Sequence, residues 1–250
     1  MGTLRGGLTY PDIARQNGRS QSPANPDGDD ELRDGRGVKI VTATRGLFQD
    51  TLLCRSLTCT PGDTGTCIVV EHNTVGLSKL YNQHMAPEAM VFRHDDIVVT
   101  NFWWREVIEE GLKHFDIVGV VGNKRSFPGQ RSWYLSEDGG YGPDLHTGFS
   151  GAIGNGTDWC SCTKQYFGPC GEVKTLDGVF IAANGKTLIE KGVSFDEDFD
   201  FHFYDMAFCA RARAAGLTMG TIPLSLIHNS KGLFTPAWYK ALELYRSKYD

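Results

Sequence analysis

Three adjacent side chains, His94-Asp95-Asp96, carry the types needed for metal chemistry. Neighbouring carboxylates raise one another's pKa. A divalent cation with a phosphate ligand relieves that cost, since Mg2+ and Mn2+ favour carboxylate and phosphate oxygens and Mg2+ commonly takes only one or two protein carboxylates. A solvated Asp-Asp pair in a loop is the alternative. In a second acidic run, from Phe195 to Asp205, aromatic residues alternate with acids. One of its carboxylates could act as a general base. The run could equally form the solvent face of a strand leading into a helix whose N-terminus favours negative charge. His228 follows an apolar stretch and reads either as a satisfied core histidine or as a metal or phosphate contact. Asp177, before Gly178, either closes a turn or sets a carboxylate against a ligand hydroxyl. Cys160, Cys162 and Cys170 cluster in a Gly-rich stretch. Structural zinc requires four ligands, and His146 could supply the fourth; unpaired loop thiols or one adventitious disulfide are favoured over zinc. Cys54, Cys59, Cys67 and Cys209 read as ordinary thiols.

The elements that must position these groups alternate between strand and helix. Val38 to Ala43 is a β-branched run that predicts a buried strand, and 67–71 and 89–93 predict two more. The last of these ends in His94-Asp95-Asp96. Helices are predicted over 49–57, 76–85 and 101–114, the third capped by Thr100 or Asn101. A fourth strand is predicted over 116–121. Regular structure resumes from Val173 to Ala183, followed by a helix from Tyr204 or Asp205 to Ala215 closed by Gly216. A strand over 219–227 and a helix over 236–248 complete the series. Such alternation predicts a mostly parallel sheet with helices on both faces, whose ligand crevice lies beyond the carboxyl ends of the strands. Residues 1–37 lack hydrophobic periodicity and are expected to form a flexible arm. The Gly-rich segment at about 125–171 is expected to be a long loop insertion that acts as a lid.

A chain of 250 residues suits one α/β domain following that arm. Its net charge of −5 argues against a general nucleic-acid binder, while a bound metal ion would still allow a nucleotide diphosphate to bind. No apolar run is long enough to cross a bilayer, and the first twenty residues lack the apolar core of a signal peptide. The expectation is a cytoplasmic protein without a transmembrane segment, for which peripheral membrane contact stays open.

Read together, several fragments resemble the family-two-like glycosyltransferases of GT-A fold, in particular the group named after a streptomycin-biosynthesis glycosyltransferase. The resemblance covers roughly residues 38–249. It is carried by GLSKLYN at 76–82, VFRHDDI at 91–97, FDIVGVVGNKR at 115–125, Trp133 and TLDGVFIA at 175–182. The longest match is SFDEDFDFHFYDMAFCARARAAGL at 194–217, followed by IHNSKG at 227–232. It implies a GT-A (Rossmann-like) α/β fold of three α/β/α layers around a mostly parallel central sheet. His94-Asp95-Asp96 corresponds to the family's Asp-x-Asp-type motif. Asp96 would ligate Mn2+ or Mg2+ at the nucleotide diphosphate, joined by His228 and His94. Asp95, Glu71, Lys79 and Asp177 would contact the donor. Asp205 would be the base of an inverting transfer from a nucleotide sugar, most commonly a UDP-sugar, to a hydroxyl of a glycan or other acceptor. One departure stands out: the family pattern usually has a second Asp two places after the candidate base, where this chain has Ala207.

Two other enzyme classes fit less well. A nucleotidyltransferase would show a Gly-rich phosphate loop after the first strand, whereas Val41 to Gly46 contains one glycine. A His-Asp phosphohydrolase would be mostly helical. A degenerate, non-catalytic nucleotide- or glycan-binding module of the same fold is the alternative that Ala207 keeps open.

Overall fold

The computed structural model describes residues 38–57, 67–135, 148–230, 232 and 234–250. The predicted arm over 1–37 lies outside them, as do Cys59 and His146. In chain order the elements are β1 (Lys39–Ala43), a 3-10 turn (Phe48–Asp50), α1 (Leu52–Leu57), β2 (Cys67–Val70), α2 (Leu77–Gln83), β3 (Ala89–Arg93), β4 (Ile97–Val99), α3 (Trp104–His114), β5 (Ile117–Gly119) and β6 (Val121–Asn123). They continue with β7 (Phe149–Asn155), β8 (Thr163–Gly168), β9 (Thr175–Leu176), β10 (Phe180–Asn184), α4 (Gly185–Glu190), α5 (Tyr204–Ala214), β11 (Met219–Thr221), β12 (Leu226–His228) and α6 (Pro236–Tyr249).

The strands form two sheets flanked by helices. The first has the order β11-β5-β10-β3-β1-β2. Its strands β1, β2 and β3 pair in parallel, as do β5 and β11, while β10 is antiparallel to both neighbours. The middle of β1 and nearly all of β3 and β10 are buried. That is why these segments read as continuous apolar runs rather than alternating ones. The second sheet has the order β4-β12-β7-β6-β9, with β8 added beside β7.

Several predicted elements change form. The run predicted as one strand over 116–121 is two: β5 stays in the first sheet, and after Val120 the chain enters the second as β6. Gly122 permits the switch, since a Cβ there would lie 2.2 Å from the Thr175 carbonyl oxygen of β9. The predicted strand over 219–227 divides likewise into β11 and β12. The segment read as a loop insertion over 125–171 holds the β7–β8 hairpin. The helix predicted over 49–57 is a 3-10 turn followed by α1. Asn101 does not cap α3; its side chain accepts from the Trp103 N–H at 2.9 Å, and the helix begins at Trp104.

An aromatic cluster anchors the elements beneath the strand ends. Tyr81 of α2 packs against Phe92 of β3 at 4.9 Å between ring centres and against Phe195 at 5.1 Å. Phe195 in turn stacks on Phe208 of α5 at 4.3 Å. Such pairs add to burial about 0.5–1.5 kcal/mol each, and they hold α5 against the strand that ends at His94. Among the described residues no helix is long and apolar enough to cross a membrane.

Candidate metal centre and its surroundings

His94-Asp95-Asp96 is the link between β3 of the first sheet and β4 of the second. β12 runs antiparallel to β4 with His228 opposite Ile97. The Asn229 N–H donates to the Asp96 carbonyl at 2.9 Å, and the His94 N–H donates to the Val179 carbonyl at 3.1 Å. Backbone pairing on both sides therefore fixes His94, Asp96 and His228 relative to one another.

Their ligand atoms lie within 4.8 Å of one another, the one such group of three among the described residues. Asp96 Oδ1 is 3.7 Å from His94 Nδ1 and 3.4 Å from His228 Nε2. Two ligands each about 2.1 Å from a small divalent ion stand roughly 3.0–3.6 Å apart, so the spacing suits a cation held between them. Asp96 Oδ1 is buried and makes no hydrogen bond. A buried carboxylate oxygen left so is costly unless a cation satisfies it. The donor set, one carboxylate and two imidazoles, fits a divalent metal.

Electrostatics agree with this geometry. Burial would raise the Asp96 carboxyl, but the His228 and His94 imidazoles outweigh it and hold the group well below the usual carboxylate range. Burial opposes charge on His94, yet Asp96, Asp177 and Asp205 together push its pKa up. The ring is packed on several sides: Phe201 stacks on it at 6.0 Å, and His228 meets it edge-on at 5.4 Å.

Asp205 lies in the first turn of α5, half-buried. Its Oδ2 accepts from the Gly178 N–H at 2.9 Å and its Oδ1 from the Met206 N–H at 2.8 Å. Burial first, then repulsion from Asp177, pushes its pKa up to about 6, against the pull of these two N–H groups and of His94. Asp177 occupies the adjoining turn, where Oδ1 accepts from the Val179 N–H at 2.8 Å and Oδ2 from the Trp133 indole at 2.6 Å. Asp177 and Asp205 thus meet around Gly178. Ala207, where the resembling family carries a second acid, is fully buried.

A cleft of about 310 Å3 opens beside this centre, lined by Thr44, Gly46, Leu47, Asp50, Thr51, Leu52, Asp95 and Asp96. It lies beyond the carboxyl ends of β1 and β3, where crevices in α/β sheets form. Glu71, just past β2, is not among its lining residues; its carboxylate accepts from the Phe48 N–H at 2.7 Å and so braces the loop that lines the cleft. Lys79 is exposed on α2, and it too lies outside the lining. Cys160 and Cys170 are exposed and Cys162 is half-buried, all three free, and they do not form a zinc cluster among the described residues.

Sequence reasoning missed Tyr204, which touches His94 Nε2 at 3.0 Å, and the hydrogen bond by which Trp133 holds Asp177. Only the placement of Tyr204 directly before Asp205 could have signalled it.

No protein-family model and no curated protein matches the sequence. Solved structures do. GalNAc-T7 with UDP, GalNAc and Mn2+ superposes with a TM-score of 0.51 at 11% identity, over 83% of this chain and 48% of its own. The fold is GT-A-like. The mannosyltransferase PcManGT from Pyrobaculum calidifontis, in complex with GDP-Man and Mn2+, gives a TM-score of 0.45 at 13% identity, over 85% of this chain and 61% of its own. At these identities the likeness is one of fold, and this chain spans about half the length of the GalNAc-T7 chain.

Proposed function

We propose that residues 38–250 form a metal-dependent glycosyltransferase domain that moves a sugar from a nucleotide-diphosphate donor to an acceptor hydroxyl with inversion. The observation that carries this reading is the buried Asp96 Oδ1, without a hydrogen bond and set between two imidazoles, at the strand ends of a GT-A-like fold. Asp96, His228 and His94 would hold a divalent ion, Mn2+ or Mg2+, whose charge would offset that of a departing diphosphate. Mn2+ and UDP accompany GalNAc-T7 in its structure, which makes a UDP-sugar the first donor to try.

The protein's own groups supply the rest. Asp205 takes the proton of the acceptor hydroxyl as its oxygen attacks the anomeric carbon from the face opposite the nucleotide. A base with a pKa near 6 is largely ionised at neutral pH and still basic enough to accept that proton. Its two backbone N–H donors aim the carboxylate, and Asp177, aimed by Trp133 and Val179, would hydrogen-bond a sugar hydroxyl. Asp95 faces the cleft that would receive the nucleotide, and Glu71 acts by bracing the loop after β1. Lys79 would reach the donor from α2. Holding donor and acceptor in line supplies a further share of the rate. Ala207, fully buried, carries no acid, which leaves Asp205 as the acid of this helix turn and favours it as the base.

The test is transfer or hydrolysis of a panel of nucleotide sugars with Mn2+, comparing wild type with Asp205→Asn. Turnover unchanged in the variant sinks the base assignment.

A further inference from the structure

Tyr204 stands between the centre and the turn that carries Asp177. Its hydroxyl lies 2.6 Å from the Gly178 carbonyl oxygen and 3.0 Å from His94 Nε2. A phenol has one proton to donate. If that proton went to His94, two oxygens would face each other at 2.6 Å with no hydrogen between them. The proton therefore goes to the Gly178 carbonyl, and the phenol oxygen can only accept from His94. Nε2 of His94 must then carry hydrogen, and in the neutral ring Nδ1 is left with a free lone pair. Nδ1 is the atom that faces Asp96 Oδ1 at 3.7 Å.

We propose that Tyr204 is a positioning residue that sets the His94 tautomer, so that the neutral ring presents an unprotonated Nδ1 to the cation site. The proposal rests on the reading of His94 as a metal ligand and names the device that prepares it. Metal-binding histidines commonly have their second nitrogen fixed by a hydrogen-bonded partner, which sets tautomer and ring orientation together.

The surroundings are built for this contact. Tyr204 is buried, and burial, with Tyr81 and the acids around it, keeps the phenol protonated well above its ordinary range. Gly178 allows the approach: a Cβ there would lie 2.2 Å from the Tyr204 hydroxyl oxygen and 3.0 Å from Asp205 Cβ. The N–H of that same residue holds Asp205 while its carbonyl holds Tyr204. Phe203, just before, sits at φ 64°, left-handed backbone that a bulky residue rarely adopts. Its ring packs on Trp238 and Tyr245, each at 5.3 Å, which holds the strained residue in place. Tyr204 follows it as the first residue of α5.

The test begins with the metal-free wild type at alkaline pH, using long-range proton–nitrogen NMR of the imidazoles, with His94 identified by its loss in His94→Gln. The expected spectrum shows His94 protonated on Nε2; a ring protonated on Nδ1 overturns the proposal. In Tyr204→Phe the expected result is a mixture of tautomers and Mn2+ affinity weaker by about 10–100-fold. A variant that keeps both the tautomer and the affinity of wild type overturns it as well. Should Tyr204→Phe fail to fold, the wild-type spectrum decides alone. That spectrum reads the tautomer even in a protein that transfers no sugar, so this proposal and the proposed function fail separately.

Discussion

Asp205 should make the fold less stable as it ionises, and the size of the effect follows from its environment. Its carboxyl moves from an ordinary 3.8 to about 6 in the folded protein, through burial and the nearby Asp177. The folded state thus keeps a proton that the unfolded chain releases. Stability from this group is fully present below pH 3.8 and is lost as pH rises through about 6. At about 1.36 kcal/mol for each pH step, a gap of roughly 2.2 is worth about 3 kcal/mol. Asp205→Asn removes the titration, although the amide cannot accept from both the Gly178 and Met206 N–H groups and so forfeits a hydrogen bond. That cost does not change with pH, so the difference between the two proteins isolates the charge. Urea denaturation of metal-free wild type and variant from about pH 4, where part of that term is already gone, to about pH 8 should show wild type losing about 2.4 kcal/mol relative to the variant. A difference that stays flat, or one that moves in favour of wild type as pH rises, refutes the reasoning.

The same shift predicts that kcat/KM for transfer rises with pH through about 6 as Asp205 ionises, read from a pH–rate profile at saturating Mn2+. Asp205→Asn should lower kcat by about 10²–10⁴-fold while calorimetry shows nearly unchanged nucleotide binding. Asp96→Ala removes a direct ligand and should weaken Mn2+ binding by on the order of 100-fold or more, beyond the loss usual for an outer partner. Trp133→Phe deletes the indole hydrogen bond to Asp177 and should cost about 1.5–3 kcal/mol in urea denaturation, as expected for a bond to a charged group.

Much of the fold could be read from local pattern. The strand at Ala89–Arg93 and the α5 and α6 helices agree with expectation to within a residue or so, because apolar runs, caps and Gly216 in left-handed backbone at φ 76° mark them. The β7–β8 hairpin could not be read so. Its first strand is Gly-rich and its second is mostly exposed, so neither shows a clear period of two. The switch of sheets after Val120 was equally hidden, since residues on both sides are buried and the cause is the approach of β9 to Gly122.

The site divides in the same way. Placing His94-Asp95-Asp96 at a strand end needed only the local pattern. That His228 stands across from it depends on the three-residue pairing of β12 with β4, which joins residues far apart in the chain. Glu71 was expected at the nucleotide; its carboxylate accepts from the Phe48 N–H, a contact that local pattern did not show. Tyr204 reads from its neighbours as one more aromatic of the run over 195–204. Its contacts to Gly178 and His94 exist only once β10 and α5 have packed.

The most direct test of the central claim is release of nucleoside diphosphate from UDP-sugars and other sugar nucleotides, measured with and without Mn2+ for wild type and Asp96→Ala. The account predicts release by wild type that requires the metal and is lost in the variant. Wild-type protein that binds nucleotide and Mn2+ but turns over none of the sugar nucleotides, with or without acceptor hydroxyls, would contradict it and would instead mark the chain as a binding module of the same fold.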